Sequence, residues 1–327
     1  MKARGQQEPY DVLVIGGGAT GAGCALDAAT RGLKVACVER GDFGSETSSR
    51  STKLIWAGSR YLFNVVAALT SSKMLTAPIE TVKKCYEEFH MVLGCARERR
   101  YMAEKNAHLV NWIPIALPFD KWFIWPPPMG AWAFSLLPIA CRINACRIYD
   151  SLAGFTSPAA FTMSKAMTEA KFPQLTDRQI KFCAVLHEAQ HNDARTNLAI
   201  ALSACSAGAD ITNHTEVTRF LKDEQGKVVG AAITDLLSGE SYEVSAKSVI
   251  ICGGPYTDSI RQLEAQVGEE VKRAVEGGPG VHIVLPAGVH VPRDMGLLDY
   301  NTTDGKPPSH GTRRHHPTSP PQPETQR

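Results

Sequence analysis

The sequence predicts an α/β fold: a Rossmann-like domain with a parallel sheet and helices, plus a partly antiparallel substrate or cap domain. Two observations support this. Residues 10–40 have the pattern of a strand, a glycine-rich turn, a helix and a second strand. Residues 208–255 have the pattern of successive strands that return the chain to the same sheet. A length of 327 residues, 43% of them hydrophobic, suffices for about two domains.

The glycine-rich turn has the spacing of a dinucleotide-binding motif. The apolar run YDVLVI (10–15) predicts a strand, and Gly16, Gly18 and Gly21 follow it as G-x-G-x-x-G. In such a motif one glycine permits the tight turn, one lets the backbone approach a pyrophosphate, and one lets the helix pack on the strand. The pyrophosphate is then expected at the helix N-terminus. The alternative is a glycine-rich turn that binds no ligand.

The second strand, LKVACVE (33–39), ends on an acid. Glu39 lies where a carboxylate can accept hydrogen bonds from the hydroxyl pair of a ribose. A carboxylate there disfavours NADP, because it would repel the 2′-phosphate. The motif alone does not separate NAD from FAD.

Composition excludes several classes of protein. The net charge is only +2, so no nucleic-acid partner is expected. The nine cysteines are scattered and form no Cys-x-x-Cys pair, which favours reduced thiols and predicts no metal site. The N-terminal segment MKARGQQEP has neither the apolar core of a secretory signal nor the long basic stretch of a transit peptide.

No apolar run reaches 18 residues, so no transmembrane helix is predicted. The nearest approach is MGAWAFSLLPIAC (129–141), which is short and contains Pro138. A buried helix or apolar loop and a segment that dips into a bilayer interface remain open for it. The neighbouring KWFIWPPP (121–128) favours the second, since Trp prefers membrane interfaces.

The segment GSETSSRSTKLIWAGSRYL (44–62) resembles the flavin-contacting segment of the FAD-dependent, mitochondrial-type glycerol-3-phosphate dehydrogenases. The resemblance covers roughly residues 8–305, and its further matching segments are ERRYMAEKNAHLV (98–110), QHNDARTNLAIAL (190–202), GGPYTDSIR (253–261), GVHIVLP (280–286) and MGLLD (295–299). It implies FAD as cofactor and oxidation of sn-glycerol 3-phosphate to dihydroxyacetone phosphate, with electrons passed to quinone. It also implies the mitochondrial inner membrane as location, and leaves a peripheral membrane association open.

The resemblance also implies a division of the chain. The FAD-binding core takes about residues 8–60, 190–220 and 245–262. The substrate or cap portions take about 61–189, 221–244 and 263–305. The residues expected to bind FAD are Gly16, Gly18, Gly21, Glu39, Thr47, Ser48, Ser49, Arg50, Ser51, Lys53, Val217, Gly253 and Gly254. Without the resemblance, the hydroxyl-rich TSSRSTK (47–53) could be an ordinary polar loop.

The substrate site is expected at Arg60 and Tyr61, with the Arg60 guanidinium near the substrate phosphate. A surface arginine is the alternative reading of Arg60. The resemblance also places QHNDAR (190–195) close to the active site, with Asp193 and Arg195 as substrate-binding candidates. Asn192 or Asp193 could instead cap the helix that follows.

One histidine is a candidate for the base that removes the hydroxyl proton. His282 lies within GVHIVLP, between apolar residues that favour a strand. A histidine in such a setting is more often structural, so both roles stay open.

The chain departs from the family pattern in two places. Trp56 and Ala57 stand where relatives have His and Gly. Residues 306–327 are proline-rich and basic, which predicts a disordered tail where relatives continue with flavin-closing strands. The chain therefore resembles a C-terminally truncated member with an incomplete substrate or cap domain. Residues 1–327 alone are expected to be poorly soluble, to bind FAD weakly or not at all, and not to reduce quinone analogues with glycerol 3-phosphate. A different, amino-acid-oxidase-like flavoenzyme and a non-catalytic fragment are the alternatives.

Overall fold

The structure is a computed structural model that describes residues 8–55, 65, 68, 73–120, 151, 154–265, 271–278, 280–283, 292 and 294–298. Its strands, in chain order, are β1 (Tyr10–Ile15), β2 (Val35–Val38), β3 (Leu54–Ile55), β4 (Val110–Phe119), β5 (Phe161–Ser164), β6 (Phe182–His191), β7 (Asp210–Thr212), β8 (Thr215–Lys222), β9 (Val228–Asp235), β10 (Ser241–Ile251) and β11 (Gly296–Leu297). Its helices are α1 (Ala19–Thr30), α2 (Lys73–Thr76), α3 (Pro78–Lys105), α4 (Lys165–Lys171), α5 (Asp193–Ser206) and α6 (Thr257–Gln262).

The chain divides into two compact units. The first contains residues 1–53 and 191–279, and the second contains 54–190 and 280–327. In the first unit the sheet order is β7-β2-β1-β10-β9-β8. The pairs β7–β2, β2–β1 and β1–β10 are parallel. The pairs β10–β9 and β9–β8 are antiparallel. This confirms the predicted parallel sheet, extended by the strand at Ile211 and rejoined by β10.

Alternate residues of β1 face opposite sides of the first unit's sheet. Val14 packs with the alanine-rich faces of α1 and α5. Leu13 and Ile15 pack on the other side with β8, β9 and β10, through residues such as Val217. Small alanines let the two helices lie close to the sheet, which brings the N-termini of α1 and α5 near the ends of the parallel strands.

The compact units do not coincide with the predicted division. Residues 263–265 and 271–278, expected in the cap portion, belong to the first unit, and residues 54–55, expected in the core, belong to the second. The segment 221–244, which the sequence suggested for the cap portion, forms β9 and its turns within the first unit's sheet. Gly226 and Gly239 have φ angles of 80° and 77°, so they make the expected turns. The sequence showed these strands, but the choice of unit depends on pairing between β9 and β10, which is not local.

The second unit contains a mixed sheet in the order β11-β4-β6-β3, with β5 paired to β6. β3 and β5 run antiparallel to β6, and β11 runs parallel to β4. Its core contains Phe172, Val185 and Met295. The 28-residue helix α3 begins with Pro78, a residue suited to the first helical position. The partly antiparallel character of this unit is as predicted.

Two further findings concern membranes and metals. Among the described residues no helix combines the length and the hydropathy needed to cross a membrane. In the same part of the chain, no cluster of His, Cys, Asp and Glu has a composition suited to a metal ion.

Candidate cofactor site

Two glycines of the turn after β1 are required by the protein's own packing. Gly16 has a φ of 108°, and a Cβ there would lie 2.4 Å from the carbonyl oxygen of Cys252. A Cβ on Gly21 would lie 1.8 Å from the carbonyl oxygen of Gly16. Side chains at either position would therefore collide with backbone, whether or not a ligand is bound. These glycines supply the tight turn and the close packing of α1.

Gly18 differs from these two glycines. Its φ of −72° and ψ of −176° are open to any residue. A Cβ there would meet only the hydroxyl of Ser48, at 3.2 Å. The fold therefore has room for a small side chain at Gly18. The space beside it lies at the N-terminus of α1, where the motif places a pyrophosphate.

The N-terminus of α1 offers hydrogen-bond donors to that space. Gly18 is the N-cap, and no side chain caps the helix from that position. The backbone N–H of Ala19 donates to the hydroxyl of Ser48 at 2.9 Å. An oxygen thus already lies at the positive end of the helix dipole, where a phosphate oxygen would also be stabilised. The turn and Ser48 together fit a diphosphate.

The carboxylate of Glu39 stabilises the glycine turn after β1 through hydrogen bonds. One carboxylate oxygen accepts from the N–H of Gly17 at 2.6 Å, and the other accepts from the N–H of Gly41 at 2.8 Å. A carboxylate oxygen has two lone pairs, so both oxygens can accept a further bond. The geometry is compatible with the expected ribose contact and adds a second role, support of the glycine turn.

The loop 44–53 is held by Asp193, at the start of α5. Its carboxylate accepts from the N–H of Ser51 at 3.1 Å and from the hydroxyl of Ser51 at 2.7 Å. It also forms an ion pair with the ammonium of Lys53. Lys53 itself has a left-handed φ of 65°, and its ammonium donates to the carbonyl of Ser49 at 2.6 Å. These contacts give the loop a defined shape.

The electrostatics of Asp193 reflect these contacts. Burial by itself raises the pKa of this carboxyl group. Hydrogen bonds from Lys53, from Ser51 and from the backbone N–H of Ala194 outweigh burial and lower the pKa to about 2. Asp193 is therefore ionised at neutral pH and is stabilised by the loop that it holds.

This pKa predicts how stability depends on pH. The pKa of Asp193 in the folded protein, about 2, lies below the model-peptide value of 3.8. The carboxylate therefore contributes its full stabilisation above about pH 4 and loses it as the pH falls toward 2, a change of about 2 kcal/mol. Urea unfolding between pH 5 and 2 is expected to show a shallower loss of stability in Asp193→Asn than in the wild type. Equal slopes would contradict this assignment.

The remaining residues of QHNDAR have separate roles. The side chain of Asn192 accepts from the N–H of Arg195 at 3.1 Å and caps α5, so the capping alternative holds for Asn192. Arg195 is exposed in the first turn. The capping and the loop contact thus fall on adjacent residues, Asn192 and Asp193.

Sequence reasoning missed Asn197. It is 2% exposed, and its amide donates to the carbonyl of Gly17 at 2.9 Å. A Cβ on Gly44, whose φ is 70°, would lie 2.7 Å from the Asn197 amide nitrogen. The buried face of α5 contains the polar residues Asp193, Thr196 and Asn197, followed by Ala201 and Ala204. Polar residues at these buried positions were the sequence signal that could have pointed to Asn197.

The other predicted cofactor residues lie in the same unit. Thr47–Ser49 form a short 3-10 turn, and Arg50 is exposed and paired with Glu46 at 3.6 Å. Gly253 follows β10 beside Gly16, with its nitrogen 3.5 Å from a Cβ placed on Gly16. Gly254 has a φ of 52°. Val217 is buried in the core cluster that also contains Ile15.

The other predicted residues fall outside the described part of the chain or in the second unit. Arg60, Tyr61, Trp56, Ala57 and the segment 121–141 lie outside the described residues. His282 belongs to the second unit and is exposed. Residues 280–283 are not in a strand, and the flanking Val281 and Ile283 are 82% and 69% exposed. The strand expected there is therefore not found over residues 280–283, and a role for His282 as base stays a prediction.

Known proteins resemble the chain over most of its length. Glycerol-3-phosphate dehydrogenase, mitochondrial, of Mus musculus is 42% identical over 303 residues, which cover 91% of this chain and 37% of that protein. The Saccharomyces cerevisiae protein of the same name is 36% identical over 321 residues, covering 91% of this chain and 45% of its own length. The chain thus spans about two fifths of these curated relatives.

Solved structures agree on the fold. The glycerol-3-phosphate dehydrogenase of Bacillus halodurans, solved with FAD, matches with a TM-score of 0.54 at 26% identity, over 80% of this chain and 38% of that one. L-proline dehydrogenase from P. horikoshii matches with a TM-score of 0.52 at 14% identity, over 90% of this chain and 65% of that one, which shows a shared fold only. Residues 11–317 match the family described as FAD dependent oxidoreductase. The cradle at Gly18, the donors of α1 and the carboxylate of Glu39 fit that cofactor, and the chain belongs to the FAD dependent oxidoreductase family.

Proposed function

We propose that the protein is an FAD-dependent dehydrogenase that oxidises sn-glycerol 3-phosphate to dihydroxyacetone phosphate and passes the electrons to quinone. The observation that carries the proposal is the 42% identity to a mitochondrial glycerol-3-phosphate dehydrogenase, which extends over 91% of this chain. The fit of the glycine turn and of loop 44–53 to a dinucleotide independently supports FAD as the cofactor.

The described residues would bind and orient the cofactor. The N–H groups of α1 and the space beside Gly18 would receive the diphosphate, and the free lone pairs of Glu39 would accept from ribose hydroxyls. Lys53, held by Asp193, would present the remaining hydrogen of its ammonium group from the loop, whereas both donors of Ser51 are taken by Asp193. FAD, when bound, supplies the group that accepts a hydride from the substrate carbon.

Substrate recognition would require a cation for the phosphate. Arg60 is the first candidate, since a guanidinium makes paired hydrogen bonds to phosphate oxygens. The exposed Arg195 is a further candidate cation, and Tyr61 would donate a hydrogen bond through its phenolic hydroxyl. Asp193 is less suited to direct substrate contact, because its carboxylate is already engaged by Ser51 and Lys53 and would repel a phosphate. His282 remains the candidate base.

Arg60→Ala, tested in a full-length context, is expected to raise the KM for glycerol 3-phosphate about ten- to a hundredfold while leaving the FAD content near that of the wild type. The reason is the loss of charge-assisted hydrogen bonds to the substrate phosphate. Steady-state kinetics and the flavin-to-protein ratio measure the two effects. Arg31→Ala is the control, because Arg31 is exposed and pairs with Asp27 at the C-terminal end of α1. An unchanged KM would assign phosphate binding to another residue.

The names of the relatives support a mitochondrial location, which we propose for this protein together with the inner membrane, a quinone acceptor and a peripheral membrane association. Carbonate extraction of mitochondria tests the membrane part: a peripheral protein is released, whereas an integral protein stays in the pellet. Retention in the pellet, or absence from mitochondria, would contradict it.

The test of the substrate is turnover with a soluble quinone analogue and a panel of donors. Glycerol 3-phosphate is expected to reduce the acceptor, whereas glycine and L-proline are not. Turnover of an amino acid without turnover of glycerol 3-phosphate would assign the chain to a different flavoenzyme and overturn the proposal.

A further inference from the structure

The N-terminal part of α5 contacts two separate loops of the candidate cofactor site. Asp193 is 5% exposed and Asn197 is 2% exposed, and they lie one helical turn apart on the buried face. Residues four apart share a helix face, so their side chains extend in the same direction. Each side chain bonds to a different loop.

The first contact is with the loop 49–53. The carboxylate of Asp193 accepts two hydrogen bonds from Ser51 and pairs with Lys53. The backbone adds a further link, since the N–H of His191 donates to the carbonyl of Lys53 at 2.9 Å. The left-handed backbone of Lys53 is thereby held from its side chain and from its carbonyl.

The second contact is with the glycine turn. The amide of Asn197 donates to the carbonyl of Gly17 at 2.9 Å, and the N–H of Gly44 donates to the same oxygen at 3.1 Å. The side-chain oxygen of Asn197 is buried and has no hydrogen-bond partner among the described residues. Burying an oxygen without a hydrogen-bond partner costs desolvation energy, which an apolar side chain would avoid. Asn197 therefore contributes to the site through the hydrogen bond that its NH2 group donates to Gly17.

We propose that Asp193 and Asn197 are positioning residues, which fix the glycine turn and the loop 49–53 relative to one another so that one FAD molecule can contact both. The inference rests on the proposed function in one respect, that FAD binds at this site. Asp193 acts largely through Lys53, and Asn197 acts through the carbonyl of Gly17. Helix α5 thus serves as the common support of two loops that are distant in sequence.

The test is titration of FAD into the apo-protein, in a full-length context and without substrate. Asp193→Asn and Asn197→Leu are each expected to raise the dissociation constant of FAD about tenfold or more, the effect of losing one charge-assisted or buried hydrogen bond. Cys205→Ser is the matched control, because Cys205 is exposed on the same helix and the change is nearly isosteric. An affinity equal to that of the control in both variants would overturn the proposal.

A double substitution tests whether Asp193 acts through Lys53. Lys53→Met is expected to weaken FAD binding, and adding Asp193→Asn should weaken it by at most about threefold more, because the shared contact is already lost. If the dissociation constant of the double variant rises by the product of the two single-variant factors, Asp193 does not act through Lys53. Visible circular dichroism of the bound flavin is expected to change in Asp193→Asn and to remain as in the wild type in Cys205→Ser.

Further variants and the wild type separate the possible failures. If Asp193→Asn does not fold, Asp193→Glu keeps the charge toward Lys53 and is expected to bind FAD more tightly than Lys53→Met does. If Asp193→Glu binds FAD more weakly than Lys53→Met does, the positioning role is contradicted. If the wild-type protein binds no FAD, the proposed function fails. If the wild type binds FAD and both variants match it, only the positioning role fails.

Discussion

In a full-length context, Gly18→Val is expected to leave the protein folded and without flavin. The backbone at Gly18 suits any residue, and only the Ser48 hydroxyl lies near a new Cβ, at 3.2 Å. A branched side chain would instead fill the space beside the N-terminus of α1, where the pyrophosphate must approach. Loss of those contacts should weaken FAD binding by at least about a hundredfold, or roughly 3 kcal/mol.

The measurement is the flavin-to-protein ratio after purification, followed by titration of FAD. Gly23→Val is the control, because Gly23 lies in the same helix with open space around its Cβ position. It should hold FAD as the wild type does. Stoichiometric flavin in Gly18→Val would show that the cradle is elsewhere.

Glu188→Gln is expected to destabilise the second unit by about 3–5 kcal/mol. Glu188 forms an ion pair with Arg99, and their side chains are only 9% and 1% exposed. The Arg99 guanidinium also lies 5.5 Å from the ring centroid of Trp112. Replacing the carboxylate by an amide removes a negative charge from beside the buried guanidinium. Breaking such a pair costs far more than replacing both partners with apolar residues.

Urea unfolding measures the free energy of unfolding of each variant. The exposed ion pair of the next arginine in α3 provides a matched control. Arg100 pairs with Glu104 at 2.9 Å, but these side chains are 46% and 44% exposed. Glu104→Gln should therefore cost no more than about 0.5 kcal/mol. The double variant Arg99→Met/Glu188→Leu should recover much of the loss seen in Glu188→Gln. Equal effects of Glu188→Gln and Glu104→Gln would contradict the account.

Local patterns were sufficient to predict the first strand, turn, helix and strand, because the pattern and the packing coincide there. The strand at Ile211 and the return of β10 also followed from the fold class. The supporting contacts of the site did not, because they join residues far apart in the chain. Asp193 meets Ser51 across 142 positions, and Asn197 meets Gly17 across 180. Periodicity shows that a residue is buried but not what it touches.

The predicted strand around His282 shows a different limit. The pattern VHIV alternates as a strand would, yet Val281 and Ile283 are exposed over described residues with no strand partner. A strand needs a neighbour to pair with, and sequence spacing does not reveal whether one is present. The role of Glu39 shows the reverse case. Its position was predicted from the motif, and its bonds to Gly17 and Gly41 add a structural reason for an acid there.

The central claim is that FAD bound at this cradle accepts a hydride from glycerol 3-phosphate. Anaerobic addition of sn-glycerol 3-phosphate to the FAD-loaded protein, in a full-length context, tests it most directly, with the visible absorption of the flavin and the dihydroxyacetone phosphate formed measured together. The account predicts that the flavin bleaches and that one dihydroxyacetone phosphate is formed for each flavin reduced. A flavin that stays oxidised with glycerol 3-phosphate, while glycine or L-proline bleaches it, would contradict the claim.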